Sequence, residues 1–307
     1  MAKETNKKAT KRRSQLPVAL VYFATMLMFL AVFGLIASFV VNRLNELNSP
    51  REAEPVAPDP TYNMLYARVN SKNVLSDMSI VRIATENNSV TVIPITSFIK
   101  ADNGDTFRMI YSQGGIKDTI SNLEETLNIK ITNYVTISNE AFEHIADLLG
   151  GVIYTPAEDL FYLSKNDADD ISFRKGQTVT LMGRQIRLMF QYPVFSNGKA
   201  GNLEFMGTAM DSLIKSTFKQ TSNTTTNLDN MYNIITENAD TDLDKNKYRE
   251  QKKYIKKMLD TNAINCKMLL PSGIWTDDEL NLSDDFKEQL KNLIEQTEPK
   301  GSSSQNN

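Results

Sequence analysis

Cysteine, histidine and tryptophan each occur once in 307 residues. The lone Cys266 excludes an intramolecular disulfide, and an exported chain without disulfides suits a bacterial surface that does not rely on oxidative folding. One cysteine and one histidine cannot build the ordinary zinc sites. A Ser-His-Asp triad could rest only on His144, which lies between apolar neighbours in a helical pattern. No GxxxxGK[ST] phosphate loop occurs, and Gly114-Gly115 alone does not make one. Carboxylates and arginines remain, and these suit a phosphate or metal–phosphate site.

Charge is absent from residues 16–41, an apolar run longer than the roughly 20 residues that cross a bilayer as a helix. Lys3, Lys7, Lys8, Lys11, Arg12 and Arg13 precede it against Glu4 alone, whereas Arg43 and Arg51 beyond it are matched by Glu46 and Glu52. The positive-inside rule places the N-terminus in the cytoplasm and the bulk of the chain outside the cell membrane. The run is too long for the hydrophobic region of a cleaved signal peptide, about 7–15 residues. With the basic tail set apart, the net charge of −3 leaves an acidic exported part, a poor nucleic-acid binder. The expected organisation is a cytoplasmic tail (1–15), a single transmembrane helix (16–41), a spacer (42–61) rich in proline after residue 48, a folded domain (62–297, core 62–220) and a disordered tail (298–307).

Within the domain, residues 131–156 organise the rest. Alternation at Tyr134–Ile137 predicts a strand, Ser138 caps a helix with an apolar stripe, Gly150-Gly151 stops it, and a strand restarts at Val152. Residues 64–69, 78–84 and 90–95 read as strands, the last two joined as a hairpin by a polar turn. Ile116, Ile120, Leu123 and Leu127 predict a helix after Gly114-Gly115. Further helices are expected from Gly183 to Phe190, over 203–218, 242–259 and 284–296. Residues 221–227 read as a polar loop and 263–270 as a late strand.

Asn63-Met64-Leu65-Tyr66, Leu75-Ser76-Asp77-Met78, Val92-Ile93-Pro94, Tyr111 with Gly114-Gly115, Asn133-Tyr134-Val135, Ala146-Asp147-Leu148-Leu149-Gly150-Gly151-Val152, Lys175-Gly176-Gln177 and Leu181-Met182-Gly183 follow one another along the chain. In that order they resemble the motifs of the LytR-CpsA-Psr (LCP) family of membrane-anchored bacterial envelope proteins. The first resembles the family's first strand, the second its R-S-D-T motif and the third the start of S-I-P-R-D; the others are similar to later motifs. The resemblance implies a three-layer αβα domain with a central mixed sheet and a hydrophobic channel for a polyprenyl tail. The activity it implies is transfer of a glycopolymer from a polyprenyl pyrophosphate carrier to peptidoglycan, with arginines clamping the pyrophosphate and carboxylates holding Mg²⁺.

Against that pattern, the residues expected to do the work are mostly replaced. The family's Gly and Asp after the first strand fall on Arg68 and Asn70. The arginine of R-S-D-T falls on Leu75, which leaves Asp77 as the retained carboxylate and the candidate Mg²⁺ ligand. The Arg and Asp after the proline fall on Ile95 and Thr96, and K-I-N falls on Thr106-Phe107-Arg108. Paired arginines fall on Gln191 and Pro193, and R-x-x-R-Q on Asn202, Phe205 and Met206. Each charge-assisted contact to phosphate is worth about 1.5–3 kcal/mol, so the joint loss removes the usual catalysis.

Catalytic candidates are Asp77, Arg108 and Gln191; ligand-binding candidates are Arg68, Asn70, Tyr111, Arg187 and Asn202. Arg68, Arg108 and Arg187 could form a relocated clamp. Phe107, Phe142, Ile145, Leu188, Phe190, Phe205 and Met206 could line a lipid channel or simply fill the core. The expected role is non-catalytic binding or scaffolding in teichoic acid or capsule assembly. The polyprenyl-phosphate-linked glycopolymer, peptidoglycan or active LCP relatives are the expected partners. An active Mg²⁺-dependent phosphotransferase with a rearranged site is the alternative. A membrane-bound transcription regulator is not expected, because some fifteen cytoplasmic residues are too few for a DNA-binding domain.

Overall fold

The computed structural model describes residues 60–297, apart from 167, 168, 220 and 262. The basic tail, the expected transmembrane helix, nearly all of the spacer and the C-terminal tail lie outside the described residues. Among the described residues no helix is long and apolar enough to cross a membrane.

β-Branched and aromatic alternation at the start of the domain produces β1 (Thr61–Val69), β2 (Leu75–Ala84) and β3 (Ser89–Thr96), an antiparallel meander. β4 (Asn133–Ser138) joins β1 in parallel. The short strands β9 (Ala239–Thr241) and β10 (Asn265–Met268) close the two edges, antiparallel to β4 and parallel to β3 respectively. The result is a mixed six-stranded sheet in the order β10-β3-β2-β1-β4-β9. Burial runs almost unbroken along β2 and β3, which requires cover on both faces of the sheet.

That cover is visible from two arginines. Alternation puts Tyr66 and Arg68 of β1 on one face. There Arg68 meets Phe142 of α2 (Asn139–Leu148) and Phe190 of α3 (Gly183–Phe190). On the opposite face Arg82 of β2 donates to the Ile294 carbonyl and the Thr297 hydroxyl of α7 (Asp284–Thr297). Sheet and two helical layers share one main core that runs from Leu65 to Leu290. The expected α/β domain with a central mixed sheet is what the chain forms.

Several boundaries differ from the sequence expectation. Helix α1 begins at Phe107 rather than Ile116 and runs to Leu127. Thr106 caps it by accepting from the Met109 N–H, and the helix passes through Gly114-Gly115 with a kink at Gly115 instead of starting after them. Residues 221–227 open a helix, α5 (Thr221–Asn238), rather than a loop. Their Thr/Asn/Ser composition disfavours a helix locally, but Leu228, Met231, Ile234 and Ile235 pack against core, and packing outweighs propensity. β5 (Val152–Tyr154) does not enter the main sheet; it pairs with β8 (Val179–Leu181) as a separate two-stranded ribbon. A second ribbon, β6 (Leu160–Tyr162) with β7 (Ile171–Phe173), and a third, β11 (Gly273–Thr276) with β12 (Glu279–Leu282), have no counterpart in that expectation. α4 (Lys199–Lys219) packs on β3 and β10, and α6 (Lys245–Thr261) precedes β10.

The glycine motifs have a packing reason. Gly150 and Gly151 take φ of 85° and 73°, left-handed values that end α2 and turn the chain into β5. At Gly183 the constraint is closeness: a Cβ there would lie 2.3 Å from the Glu143 carbonyl oxygen of α2. Its N–H is bound by Asp147, which locks the start of α3 to α2.

Candidate functional site

A pocket of about 180 Å³ opens where β1 ends, β2 begins and β3 ends, beside the first turns of α1 and α4. It is lined by Asn70, Ser76, Asp77 and Thr96 from the strand ends, by Phe98 and Arg108, by Gln191, and by Lys199 and Asn202 of α4. Leu75, Phe190, Leu203 and Met206 close its base. Strand ends beside helix starts are a common setting for anions. The first N–H groups of α1 are spent here, however, those of Phe107 and Arg108 on the Ile99 and Ser97 carbonyls, so the pocket's side chains set what it can hold.

The electrostatics of the pocket are set from below. Arg68 and Asp77 are register partners across β1 and β2. The Arg68 guanidinium takes both carboxylate oxygens, Nε donating to Oδ1 at 3.2 Å and a terminal nitrogen donating to Oδ2. Its other terminal nitrogen donates to Asn139 Oδ1 at the start of α2. The guanidinium carbon lies 5.7 Å from the Phe142 ring centre and 5.6 Å from that of Phe190. Arg68 is completely buried. Burial opposes its charge, but the Asp77 carboxylate outweighs that cost and raises the guanidinium pKa above its ordinary value. Burial first, and the nearby Asp77 charge second, push the Tyr66 phenol well up, so it stays neutral.

This arrangement does not fit a divalent cation. Mg²⁺ needs oxygen ligands in near-octahedral array, usually one or two carboxylates. Among the described residues Asp77 is the only carboxylate lining the pocket, and both its oxygens are bound to Arg68. Asn70, at the other expected position, spends its side-chain oxygen on the N–H groups of Lys72 and Val74. Among the described residues no group of three His, Cys, Asp or Glu side chains could hold a metal ion.

The remaining sequence candidates divide. Arg108, Gln191 and Asn202 come to the pocket with Asn70 and Asp77. Asn202 donates to the Phe190 and Tyr192 carbonyls and so braces the end of α3. Tyr111 lies in an adjoining depression with Arg108, its hydroxyl donating to Asn73 Oδ1 in the β1–β2 turn. Arg187 does not join the others; it pairs with Glu143 of α2 and lines no part of the pocket. Arg68, Arg108 and Arg187 therefore form no common clamp. Phe98 and Lys199 were not legible from the sequence. Arg108 and Lys199 both rest on the Phe98 ring, at 5.5 and 5.4 Å from its centre, and among the described residues neither is paired with a carboxylate. The signal that could have found Lys199 is its place in the first turn of α4.

The apolar candidates pack on one another. Tyr66, Phe142, Phe190, Phe205 and Tyr154 form a chain of ring contacts with centre distances of 5.0–6.2 Å. Phe107, Phe142, Phe190, Phe205 and Met206 are buried in the main core, with Ile145 and Leu188 packed against it.

A mixed sheet covered on both faces, with a polar pocket at its strand ends above an aromatic core, defines an α/β domain with one candidate site. Residues 64–296 match the LytR_cpsA_psr family, and the chain belongs to it. It is similar to the polyisoprenyl-teichoic acid–peptidoglycan teichoic acid transferase TagU of Bacillus anthracis, 24% identical over 132 residues, 38% of this chain and 44% of TagU. TagU of Bacillus licheniformis is 24% identical over 123 residues, 40% of this chain and 35% of the relative. These matches span less than half the length of either curated relative. Among solved structures, a protein of Eubacterium siraeum described as a transcription regulator superposes with a TM-score of 0.71 at 19% identity, over 81% of this chain and 97% of that one. TagT bound to LIIa-WTA superposes with a TM-score of 0.60 at 16% identity, over 81% and 94%. These likenesses concern the fold.

Proposed function

We propose that this protein is a membrane-anchored, extracytoplasmic member of the family that serves bacterial cell-envelope glycopolymer assembly by binding or scaffolding rather than by transfer. The single observation that carries this reading is the occupation of both Asp77 oxygens by the buried Arg68. A pyrophosphate leaving group develops negative charge that needs several cations close by. The pocket wall offers two, Arg108 and Lys199, and its one carboxylate is already neutralised. The names of the curated relatives support polyprenyl-linked teichoic acid and peptidoglycan as the kinds of molecule it meets. Active members of the family are the natural protein partners. The uncharged run at 16–41 with its basic flank supports a single span of the cell membrane with the domain outside.

The test is a transfer assay. The full chain, solubilised in non-ionic detergent, is given a labelled glycopolymer on a polyprenyl pyrophosphate, peptidoglycan and Mg²⁺, beside an active relative as positive control. No label should reach peptidoglycan. Transfer at a rate comparable to the relative would establish the alternative, a phosphotransferase with a rearranged site.

A further inference from the structure

We propose that the Arg68 guanidinium stands in permanently for a divalent cation, so that the pocket binds a phosphate-type oxyanion between Arg108 and Lys199 with no metal. The inference deepens the binding reading above and rests on it. A divalent ion on a lone carboxylate leaves a net positive charge toward the pocket, whereas a guanidinium on the same carboxylate leaves none. Arg68 is moreover fixed by the chain, by Asn139 and by two aromatic rings, so its occupancy cannot vary with metal concentration.

The attraction for an anion must then come from Arg108 and Lys199. They reach one ring, that of Phe98, from two different helices, and the carboxylate that shares the pocket with them, Asp77, is already paired with Arg68. Each cation lies within 5.5 Å of that ring centre, so the two are at most about 11 Å apart, comparable to the roughly 8–10 Å screening length of ordinary salt, and an anion in the pocket can answer both. Neutral polar residues complete the wall: Ser76, Thr96, Gln191, Asn202 and Asn70, whose side-chain oxygen is already engaged. Two cations and neutral hydrogen-bonding groups match a phosphate monoester or inorganic phosphate better than a metal-complexed diphosphate, which carries more charge. The phosphate could belong to a lipid headgroup or be free in solution.

The full chain in non-ionic detergent is titrated calorimetrically with farnesyl phosphate, inorganic phosphate and inorganic pyrophosphate, each in EDTA and again in Mg²⁺. Affinity for the monophosphates should agree between the two conditions to within about twofold. Arg108→Gln and Lys199→Gln, both at the pocket rim, should each weaken it by about tenfold, one charge-assisted contact. Tighter binding of farnesyl phosphate than of inorganic phosphate identifies a lipid headgroup as the source; equal binding identifies free phosphate. Binding that requires Mg²⁺, binding that survives both substitutions, or no binding in EDTA overturns the proposal.

Arg68→Ala gives a second reading. Mg²⁺ should raise the Tm of this variant, whose Asp77 is bare, and leave that of the wild type unmoved. A folded variant indifferent to Mg²⁺, or a wild type stabilised by it, refutes the stand-in role. If Arg68→Ala does not fold, the wild-type titrations and the two rim variants decide alone. Failure here leaves the transfer assay untouched, so the two readings fall separately.

Discussion

Arg68 and Asp77 face each other across β1 and β2, and one fully buried guanidinium holds both oxygens of the carboxylate at the base of the pocket. Such a pair contributes little beyond an apolar pair of the same shape, but half of it is costly to keep. Arg68→Ala and Asp77→Ala should each lower the unfolding free energy by about 3–5 kcal/mol in metal-free buffer. The double variant Arg68→Leu/Asp77→Leu should lose much less than the two single losses together. Urea denaturation of the four proteins measures the coupling, and additive losses would contradict the buried-pair account.

Gly183 sets the distance between α2 and α3. Gly183→Ala places a methyl group 2.3 Å from a backbone carbonyl oxygen that cannot rotate away. The expected cost is about 1–3 kcal/mol, the range for overpacking. The urea midpoint should fall, while Gly104→Ala, at a glycine with no neighbour near its would-be Cβ, gives only the strain of its positive φ.

Glu124 near the end of α1 provides a pH dependence. Burial pushes its carboxyl up, but the Lys130 ammonium and the Ile131 N–H, both at 2.8 Å, outweigh this and hold it below its ordinary 4.5. A depressed carboxyl favours the folded state at pH values above the unfolded pKa. That contribution is therefore complete at neutral pH and fades as pH falls below about 4.5 through the folded value. Glu124→Gln should lower the urea midpoint at pH 7 and have less effect at pH 3.

Arg187 and Arg108 should behave differently although both are arginines beside the same core. Arg187 is matched by Glu143 outside the pocket, and Arg108 lines it without an acidic partner among the described residues. Arg187→Gln is expected to leave phosphate affinity within about twofold of wild type. Equal losses from Arg187→Gln and Arg108→Gln would mean that the pocket extends past the end of α3 to Arg187 and Glu143.

The local part of the fold was open to reading from residues alone. β-Branched alternation at Val90–Ile95, the polar turn before it, the Ser138 cap and the paired glycines each act within a few residues, and each produced the expected element. Kinked α1 and polar α5 were not legible, because Gly114-Gly115 and the Thr221–Asn227 stretch signal interruption locally while tertiary packing carries the helix through. At the site, the resemblance brought Asn70, Asp77, Arg108, Gln191 and Asn202 to notice, and the fold gathers them around one pocket. The bond from Arg68 to Asp77 could not be foreseen, since it depends on the register of two strands. Lys199 and Phe98 belong to no spacing pattern; only the approach of α4 to the β3 end brings them together.

The Thr61 hydroxyl donates to the Thr297 carbonyl at 3.1 Å, so the first residue of β1 and the last of α7 touch. Both leads to the folded unit thus leave from one corner. The pocket sits at the far end of β1, a nine-residue strand about 30 Å long. Tension or a fused module applied at that corner would load α7 and the start of β1, and the pocket mouth would stay a full strand length away. A cut and rejoined chain with new ends elsewhere should consequently still fold, its old ends bridged by a short linker.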